Sequence, residues 1–210
     1  MTQRATTLPA YMSSEVAEAR RFYLGQPKRR EGEPCVVSGG WERSAADYRI
    51  ERAGFPYFTL EFVARGRGTL RLRGRNHALA RGSVFTYGPG VAHAITPDPA
   101  EPLSKYFVNF AGPGAEAAVR ASGVALGTCQ TVTAADEVQA AFEQLLFVGR
   151  RGTKTAARIA ALQGRILLLL VSEVRQPGTA RANHALHRFL RCQQHLEQNF
   201  LTLQTAEELA

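Results

Sequence analysis

Three stretches of the sequence are typical of short β-strands joined by glycine turns: Gly66-Arg-Gly-Thr-Leu-Arg-Leu72, Gly82-Ser-Val-Phe-Thr-Tyr-Gly-Pro-Gly-Val-Ala-His93 and Lys105-Tyr-Phe-Val-Asn-Phe-Ala-Gly112. Two glycine-bounded hairpins followed by a Pro-Gly turn predict a small antiparallel β-barrel or jelly roll. A barrel of this size has an interior wide enough for one small ligand. The question for the rest of the sequence is whether that interior is a metal centre or a ligand pocket.

Composition favours a soluble cytoplasmic protein. The 210 residues suffice for one well-cored domain with an appendage, or for two small domains. The N-terminus has no apolar core of signal-peptide type, and the apolar run Ile166–Val171 is too short to span a bilayer. Cys35, Cys129 and Cys192 are scattered, which favours reduced thiols. The net charge of +8 is compatible with a nucleic-acid partner, but the arginines are spread along the chain.

Strand signals occupy the first half of the chain. Runs of β-branched and aromatic residues, separated by Gly, Pro, Asn and Asp, predict strands at Cys35–Ser38, Tyr57–Val63, Thr69–Leu72, Ser83–Tyr87, Ala94–Thr96 and Tyr106–Phe110. Gly74-Arg-Asn76 is predicted to be the tight turn of the central hairpin. Before these strands, a short helix is predicted around Ser14–Tyr23, with Ser14 as its cap.

Helical signals follow Gly112. Helices are predicted at Ala115–Ser122, Asp136–Val148 and Thr153–Arg175. An apolar stripe runs along the third of these at spacings of three and four residues: Ile159, Leu162, Ile166, Leu169 and Leu170. The stripe either packs onto the barrel or pairs two subunits. Beyond a linker at Gln176–Asn183, a helix is predicted at Ala185–Phe200, and the capping box Thr205-Ala-Glu-Glu208 predicts a further helix from about Ala206.

The barrel lacks the ligands of a metal cupin. Metal cupins carry two histidines two residues apart, a Glu four residues later, a Gly, and a third His after a Pro-Gly turn. Aligned on that spacing, this sequence has Glu61 and His93, but Phe55 and Tyr57 stand where the two histidines should be. Because a Zn, Fe or Mn site needs three or four good donors at once, we expect a barrel without metal or other cofactor.

The whole pattern resembles an AraC-family transcription regulator. The resemblance rests on the run from Phe55 to Leu70, on the barrel segments quoted above, on the long helices that follow, and on the C-terminal segment Phe189–Ala210. That last segment is similar to the first helix and the start of the second helix of the family's helix-turn-helix domain. The recognition helix that enters the major groove would follow Ala210.

The resemblance implies an α+β chain in four parts: an N-terminal arm (1–34), a cupin-like effector-binding barrel or double-stranded β-helix (35–112), antiparallel dimerisation helices (113–178), and a linker with the start of a truncated helix-turn-helix domain (179–210). The basic segment Lys28–Arg30 is the candidate arm. The implied role is that of a homodimeric, non-enzymatic sensor for a small effector such as a sugar or metabolite. DNA would be bound only through the helix-turn-helix domain.

The resemblance also suggests effector contacts. Carried over position by position, and together with the inward face that the cupin alignment gives, they are Arg52, Tyr57, Glu61, His93, Lys105 and Phe107. Each aromatic residue of this set could equally be core filling. Arg52 and Glu61 could pair with each other, since charges are seldom buried alone. Two other classes remain open: a metal-dependent cupin dioxygenase or isomerase with a degenerate site, and a dimeric scaffold whose barrel is filled.

Overall fold

The computed structural model describes residue 13 and residues 15–25, 34–45 and 47–175. The chain divides after Arg175, and the described residues all belong to the first unit, Met1–Arg175. Their strands and helices are β1 (Val16–Tyr23), β2 (Cys35–Ser44), β3 (Ile50–Arg52), β4 (Phe58–Arg65), β5 (Gly68–Leu72), β6 (Arg75–Leu79), β7 (Ser83–Tyr87), β8 (His93–Pro97), β9 (Ser104–Ala111), α1 (Ala115–Ala121), β10 (Cys129–Thr131), α2 (Ala135–Gly149) and α3 (Lys154–Val174).

The strands form two antiparallel sheets. The larger sheet has six strands in the order β1-β2-β9-β4-β7-β10, and the smaller has four in the order β3-β8-β5-β6. Their facing sides enclose a core that includes Val63, Leu70, Phe85 and Ile95. With the three helices this makes an α+β fold built on a cupin-like barrel, as the sequence predicted.

The six-stranded sheet is buried on both faces. Leu60, Phe62 and Val108 belong to a second core, which also contains residues of α1, α2 and α3. Val63 and Phe85 lie on the opposite face, inside the barrel. Because both sides of the sheet are covered, β4, β7 and β9 are buried at nearly every position rather than at alternate ones.

Most of the predicted elements are confirmed. Every predicted strand overlaps an observed one, and the three predicted helices correspond to α1, α2 and α3 with ends that differ by one residue. The short strands β3 and β10 were not predicted. Three residues carry too little periodicity to mark a strand, and pairing with β8 and β7 defines these two.

The helix predicted at Ser14–Tyr23 is wrong, because Val16–Tyr23 is strand β1. It pairs antiparallel with β2, from Val16 opposite Ser44 to Tyr23 opposite Ser38. The sequence Ala-Glu-Ala-Arg-Arg has good helix propensity, but propensity is a weak prior that tertiary pairing overrides. Here the hydrogen-bond ladder with β2 decides the conformation.

The central hairpin turns one residue earlier than predicted. Arg73 and Gly74, with φ of 49° and 78°, form the two-residue loop, and Arg75 already pairs with Leu72. Positive φ at both loop residues is the type I′ geometry that suits the twist of two short strands. Consequently Arg75, Asn76 and His77 lie in β6.

Helix α3 divides the predicted apolar stripe between two environments. Its sheet-facing side is buried through Ala156, Ala160, Gly164, Leu167, Leu168 and Val171. Ile159 and Leu170 are partly buried against the same core. Leu162, Ile166 and Leu169 are 58%, 53% and 64% exposed, so packing within this chain accounts for only part of the stripe.

The same helix is long and apolar enough to cross a membrane by length and composition alone. Core helices of soluble proteins pass that test too, and α3 packs one side against the barrel and α2. The linker at Gln176–Asn183, the helix at Ala185–Phe200 and the helix from Ala206 lie outside the described residues.

Close contact between α3 and the sheet depends on Gly164. A Cβ atom at this position would lie 2.8 Å from Val36 Cγ2 and 2.9 Å from Phe110 Cε1, both in the core. Such distances are shorter than side-chain carbons tolerate. Glycine therefore lets the helix approach β2 and β9, at some cost in helix propensity.

We expect Gly164→Leu to lower the free energy of unfolding by about 1–3 kcal/mol, the usual cost of overpacking a core. Thr155→Leu is the matched control, since Thr155 is exposed on the same helix. Urea denaturation followed by circular dichroism measures both variants. Equal stability of the two would contradict this account of the helix–sheet contact.

Candidate functional site

The strand register places acidic and basic residues on the inner face of the six-stranded sheet. Lys105 of β9 lies opposite Glu42 of β2 and opposite Val63 of β4. Glu61 lies two residues before Val63, so it shares its face. Glu42, Glu61 and Lys105 are 4%, 2% and 3% exposed, respectively. The barrel core therefore contains three ionisable side chains.

Lys105 is the centre of this cluster. Its Nζ atom lies 3.2 Å from Oε2 of Glu42 and 3.0 Å from Oε2 of Glu61. Arg21 of β1 completes the neutralisation, with Nη2 2.8 Å from Oε1 of Glu42. Burial by itself lowers the pKa of Lys105, but Glu61, Tyr48 and Glu42 together hold that pKa well above its ordinary value. The lysine is thus an ammonium held between two carboxylates.

Tyr87 links the cluster to the smaller sheet. Its hydroxyl donates a hydrogen bond of 2.5 Å to Oε1 of Glu61. Burial, and then the charge of Glu61, raise the pKa of Tyr87, which keeps it a hydrogen-bond donor. Its ring stacks on the imidazole of His93 with centroids 3.9 Å apart.

His93 of β8 is 3% exposed. Its Nδ1 lies 3.2 Å from the carbonyl oxygen of Val91, so Nδ1 carries the hydrogen and Nε2 has an acceptor lone pair. Nε2 is buried and has no hydrogen-bond partner in the described structure. Burial lowers the pKa of His93, which keeps the ring neutral.

A chain of hydrogen-bonded polar side chains lies next to the charged cluster, on the same face of the sheet. The Thr59 hydroxyl donates to Asn109 Oδ1 at 2.8 Å, and Asn109 Nδ2 donates to Ser38 Oγ at 2.9 Å. All three residues are buried. Their mutual hydrogen bonds satisfy polar groups that would otherwise be costly inside a barrel.

These groups surround a small cavity. It has a volume of about 20 Å³, which is close to the space that one water molecule needs. Its lining combines charged, amide and aromatic side chains: Ser13, Glu42, Ile50, Arg52, Phe55, Glu61, Tyr87, Lys105, Phe107 and Asn109. The barrel is nearly filled, but the filling at its centre is polar.

Four of the six predicted ligand contacts line this cavity: Arg52, Glu61, Lys105 and Phe107. His93 lies behind Tyr87, against which it stacks. Tyr57 is half-buried and packs on the inner core beside Phe55, with ring centroids 6.1 Å apart. Whether these residues bind an effector stays a prediction.

The suggested pairing of Arg52 with Glu61 is wrong. Glu61 pairs with Lys105 instead. The Arg52 guanidinium lies 5.2 Å from the centroid of the Phe55 ring.

Several lining residues were not anticipated from the sequence, chiefly Glu42, Tyr87, Asn109 and Phe55. Glu42 was detectable in principle, because it is the one acidic residue of β2, a strand that is otherwise largely apolar or small. The others depend on the register between strands distant in sequence, which no local pattern contains.

The donor set does not fit a metal. In the part of the chain that the structure describes, no three His, Cys, Asp or Glu side chains are grouped so that they could hold an ion. Glu61 is bound by Lys105 and Tyr87, and Phe55 and Tyr57 occupy the positions where a metal cupin has histidines. A three- or four-donor transition-metal site therefore has too few ligands here.

A family model for the AraC-like ligand-binding domain matches residues 38–170, which is more than half of the chain. The chain belongs to the AraC-like ligand-binding domain family. The match extends from β2 into the last part of α3 and so covers the sheets except β1, the cavity lining except Ser13, and most of the helical part. The comparison with curated proteins found no match.

Three solved structures of similar fold show how much of this chain can be superposed on known proteins. The plu4264 protein of Photorhabdus luminescens is 12% identical, with 46% of this chain and 76% of that chain covered and a TM-score of 0.37. YhaK of Escherichia coli is 15% identical, with 46% of each chain covered and a TM-score of 0.40. The Cnp3 cupin domain of Schizosaccharomyces pombe is 12% identical, with 40% and 61% covered and a TM-score of 0.32.

The chain covers less than two thirds of the last two structures. Sequence identities and TM-scores as low as these carry no information about the ligand or activity of this chain.

We expect Lys105→Met to lower the free energy of unfolding by about 3–5 kcal/mol, because it leaves the Glu61 carboxylate buried without a cation. Glu42 keeps Arg21 as a partner. The double variant Lys105→Met/Glu61→Gln should therefore recover part of the loss. Urea denaturation of the two single variants and the double variant measures this coupling.

Lys154→Met, which removes an exposed lysine, is the control. A Lys105→Met variant as stable as this control would contradict the assigned role of the cluster.

Proposed function

We propose that this chain is the ligand-sensing and dimerisation part of an AraC-family transcription regulator, and that its barrel binds a small effector such as a sugar or metabolite. One observation carries the proposal: in a barrel of the AraC-like ligand-binding family, a cavity lies among buried charged and aromatic side chains. Charged groups are costly in a core. Their presence at the centre of the barrel favours a binding site over mere packing.

The effector would contact Arg52, Tyr57, Glu61, His93, Lys105 and Phe107. Because the cavity is small, binding requires side chains to move. A ligand shifts a conformational equilibrium only by its differential affinity for the two states. The effector would therefore act by stabilising the arrangement in which these side chains have moved.

The four parts expected from the sequence, 1–34, 35–112, 113–178 and 179–210, complete the proposal. In it, the N-terminal arm and the helices respond to the occupied barrel, and DNA is bound through the helix-turn-helix domain that begins in 179–210. The protein would act in the cytoplasm, without metal or other cofactor and without catalysis.

Exposed apolar side chains on α3 support homodimerisation. Leu162, Ile166 and Leu169 follow one another at spacings of four and three residues, so they lie on one face of the helix. Phe147 of α2 is also exposed, at 61%. Contiguous exposed apolar residues are typical of a protein–protein interface.

The effector proposal is tested by native mass spectrometry of the full chain with metal quantitation, followed by a thermal-shift screen of sugars and small metabolites. We expect a metal-free protein whose melting temperature rises with one chemical class of compound, because a ligand that binds only the folded state stabilises it. A transition metal bound at one ion per chain would overturn the proposal in favour of a cupin enzyme. A screen in which no compound stabilises the protein would favour a filled scaffold.

For dimerisation, we expect the double variant Ile166→Glu/Leu169→Glu to shift a dimer to monomer, because it places two like charges in the proposed interface. Light scattering coupled to size exclusion, at several protein concentrations, measures the mass. Thr155→Glu on the same helix is the matched control, and it should leave the dimer intact. An unchanged mass in the double variant would place the interface elsewhere.

A further inference from the structure

Arg52 points into the barrel. In the smaller sheet it lies directly opposite His93, which in turn lies opposite Leu72 of β5. Residues directly opposite each other on neighbouring strands project to the same face. Leu72 is 1% exposed and belongs to the inner core, so the same face of β3 directs Arg52 inward, where it lines the cavity.

The charges of the buried cluster balance without Arg52. Glu42 and Glu61 are compensated by Arg21 and Lys105. Among the residues that the structure describes, no acidic side chain forms an ion pair with Arg52. The cavity thus has one positive charge left over, which a ligand with a single negative charge would complement.

The cavity lining includes a carboxylate oxygen that can accept a further hydrogen bond. Oε2 of Glu61 lies 3.0 Å from the Lys105 ammonium, yet it accepts no hydrogen bond of good geometry. Nε2 of His93 accepts none either, but it lies behind Tyr87 and does not line the cavity. A buried acceptor without a donor costs free energy, so a ligand that brings donors gains affinity here. Hydroxyl groups are such donors.

The size of the cavity and the freedom of the Arg52 side chain to move further restrict which ligands can bind. The cavity of about 20 Å³ admits only a small group unless lining side chains move. Arg52 is partly exposed, and its contact in the site is the Phe55 ring. It can therefore swing towards a ligand without breaking an ion pair, whereas a shift of Lys105 would leave the Glu61 carboxylate without a cation.

We propose that the effector is a small hydroxycarboxylate: its carboxylate pairs with Arg52, and a hydroxyl group donates to Glu61 Oε2. Arginine suits this role because its planar guanidinium matches a carboxylate with two parallel hydrogen bonds. This inference rests on the proposed effector-binding function and names the chemical class of that effector.

The test compares probes that differ in the carboxylate alone. Isothermal titration calorimetry on the full chain measures binding of glycerate against glycerol, and of glucuronate against glucose. We expect at least one acid to bind with a Kd at least tenfold lower than its neutral counterpart. Arg52→Gln should raise the Kd of that acid at least tenfold. Arg52→Lys keeps the positive charge but loses the planar guanidinium, and it should raise the Kd by less.

Arg71→Gln is the matched control. Arg71 lies on the same sheet but is exposed and pairs with Glu51, so its loss should not change the Kd. Melting temperatures of all variants verify that they fold. A neutral probe that binds as well as its acid, or an acid unaffected by Arg52→Gln, would overturn the hydroxycarboxylate while leaving a small-molecule effector in place.

If none of the four probes binds, the hydroxycarboxylate proposal is overturned. The broader metabolite screen then decides separately whether the barrel binds an effector at all. The two failures are therefore distinguishable.

Discussion

Lys105 holds the barrel interior together. Its ammonium lies between the carboxylates of Glu42 and Glu61, which belong to strands on either side of β9 in the larger sheet. Arg21 and Tyr87 extend the network to β1 and β7. Without the lysine, the Glu61 carboxylate would be buried without a cation, which is costly in a core, while Glu42 would keep Arg21 as its partner. Both the stability of the barrel and the chemistry of its cavity follow from this one pairing.

Both faces of the six-stranded sheet are buried, and the two faces have different environments. Its outer face packs against the helices through an apolar core, and its inner face contains the polar cluster and the cavity. Polar side chains on one face and apolar ones on the other alternate along the same strands, as the pleat requires. The helices thus rest directly on the strands that form the cavity wall. A change in the position of a strand would displace α3, which packs against the sheet. The exposed apolar face of α3 is the proposed dimer interface.

Local patterns were sufficient for the barrel strands, the three helices and part of the site. Glu61 was placed by its spacing to glycine in the cupin pattern, whereas Lys105 and Phe107 came from the family resemblance, as contact positions counted back from Phe110. The same patterns failed at β1, where helix propensity pointed one way and pairing with β2 the other. They also left open a pairing of Arg52 with Glu61, since they contain no information about Lys105 reaching Glu61 from a neighbouring strand.

Residue types, their periods of two and 3.6, and glycine turns were enough for the fold class and for most of its strands and helices. These are properties of neighbours in the chain. Tertiary structure alone decided which charges meet, because contact across a sheet depends on register, and register is set by residues far apart in sequence. It also decided that Glu42 and Tyr87 belong to the cavity, that Arg52 is left without an acidic partner among the described residues, and that Leu162, Ile166 and Leu169 stay uncovered while Leu167 and Leu168 are buried.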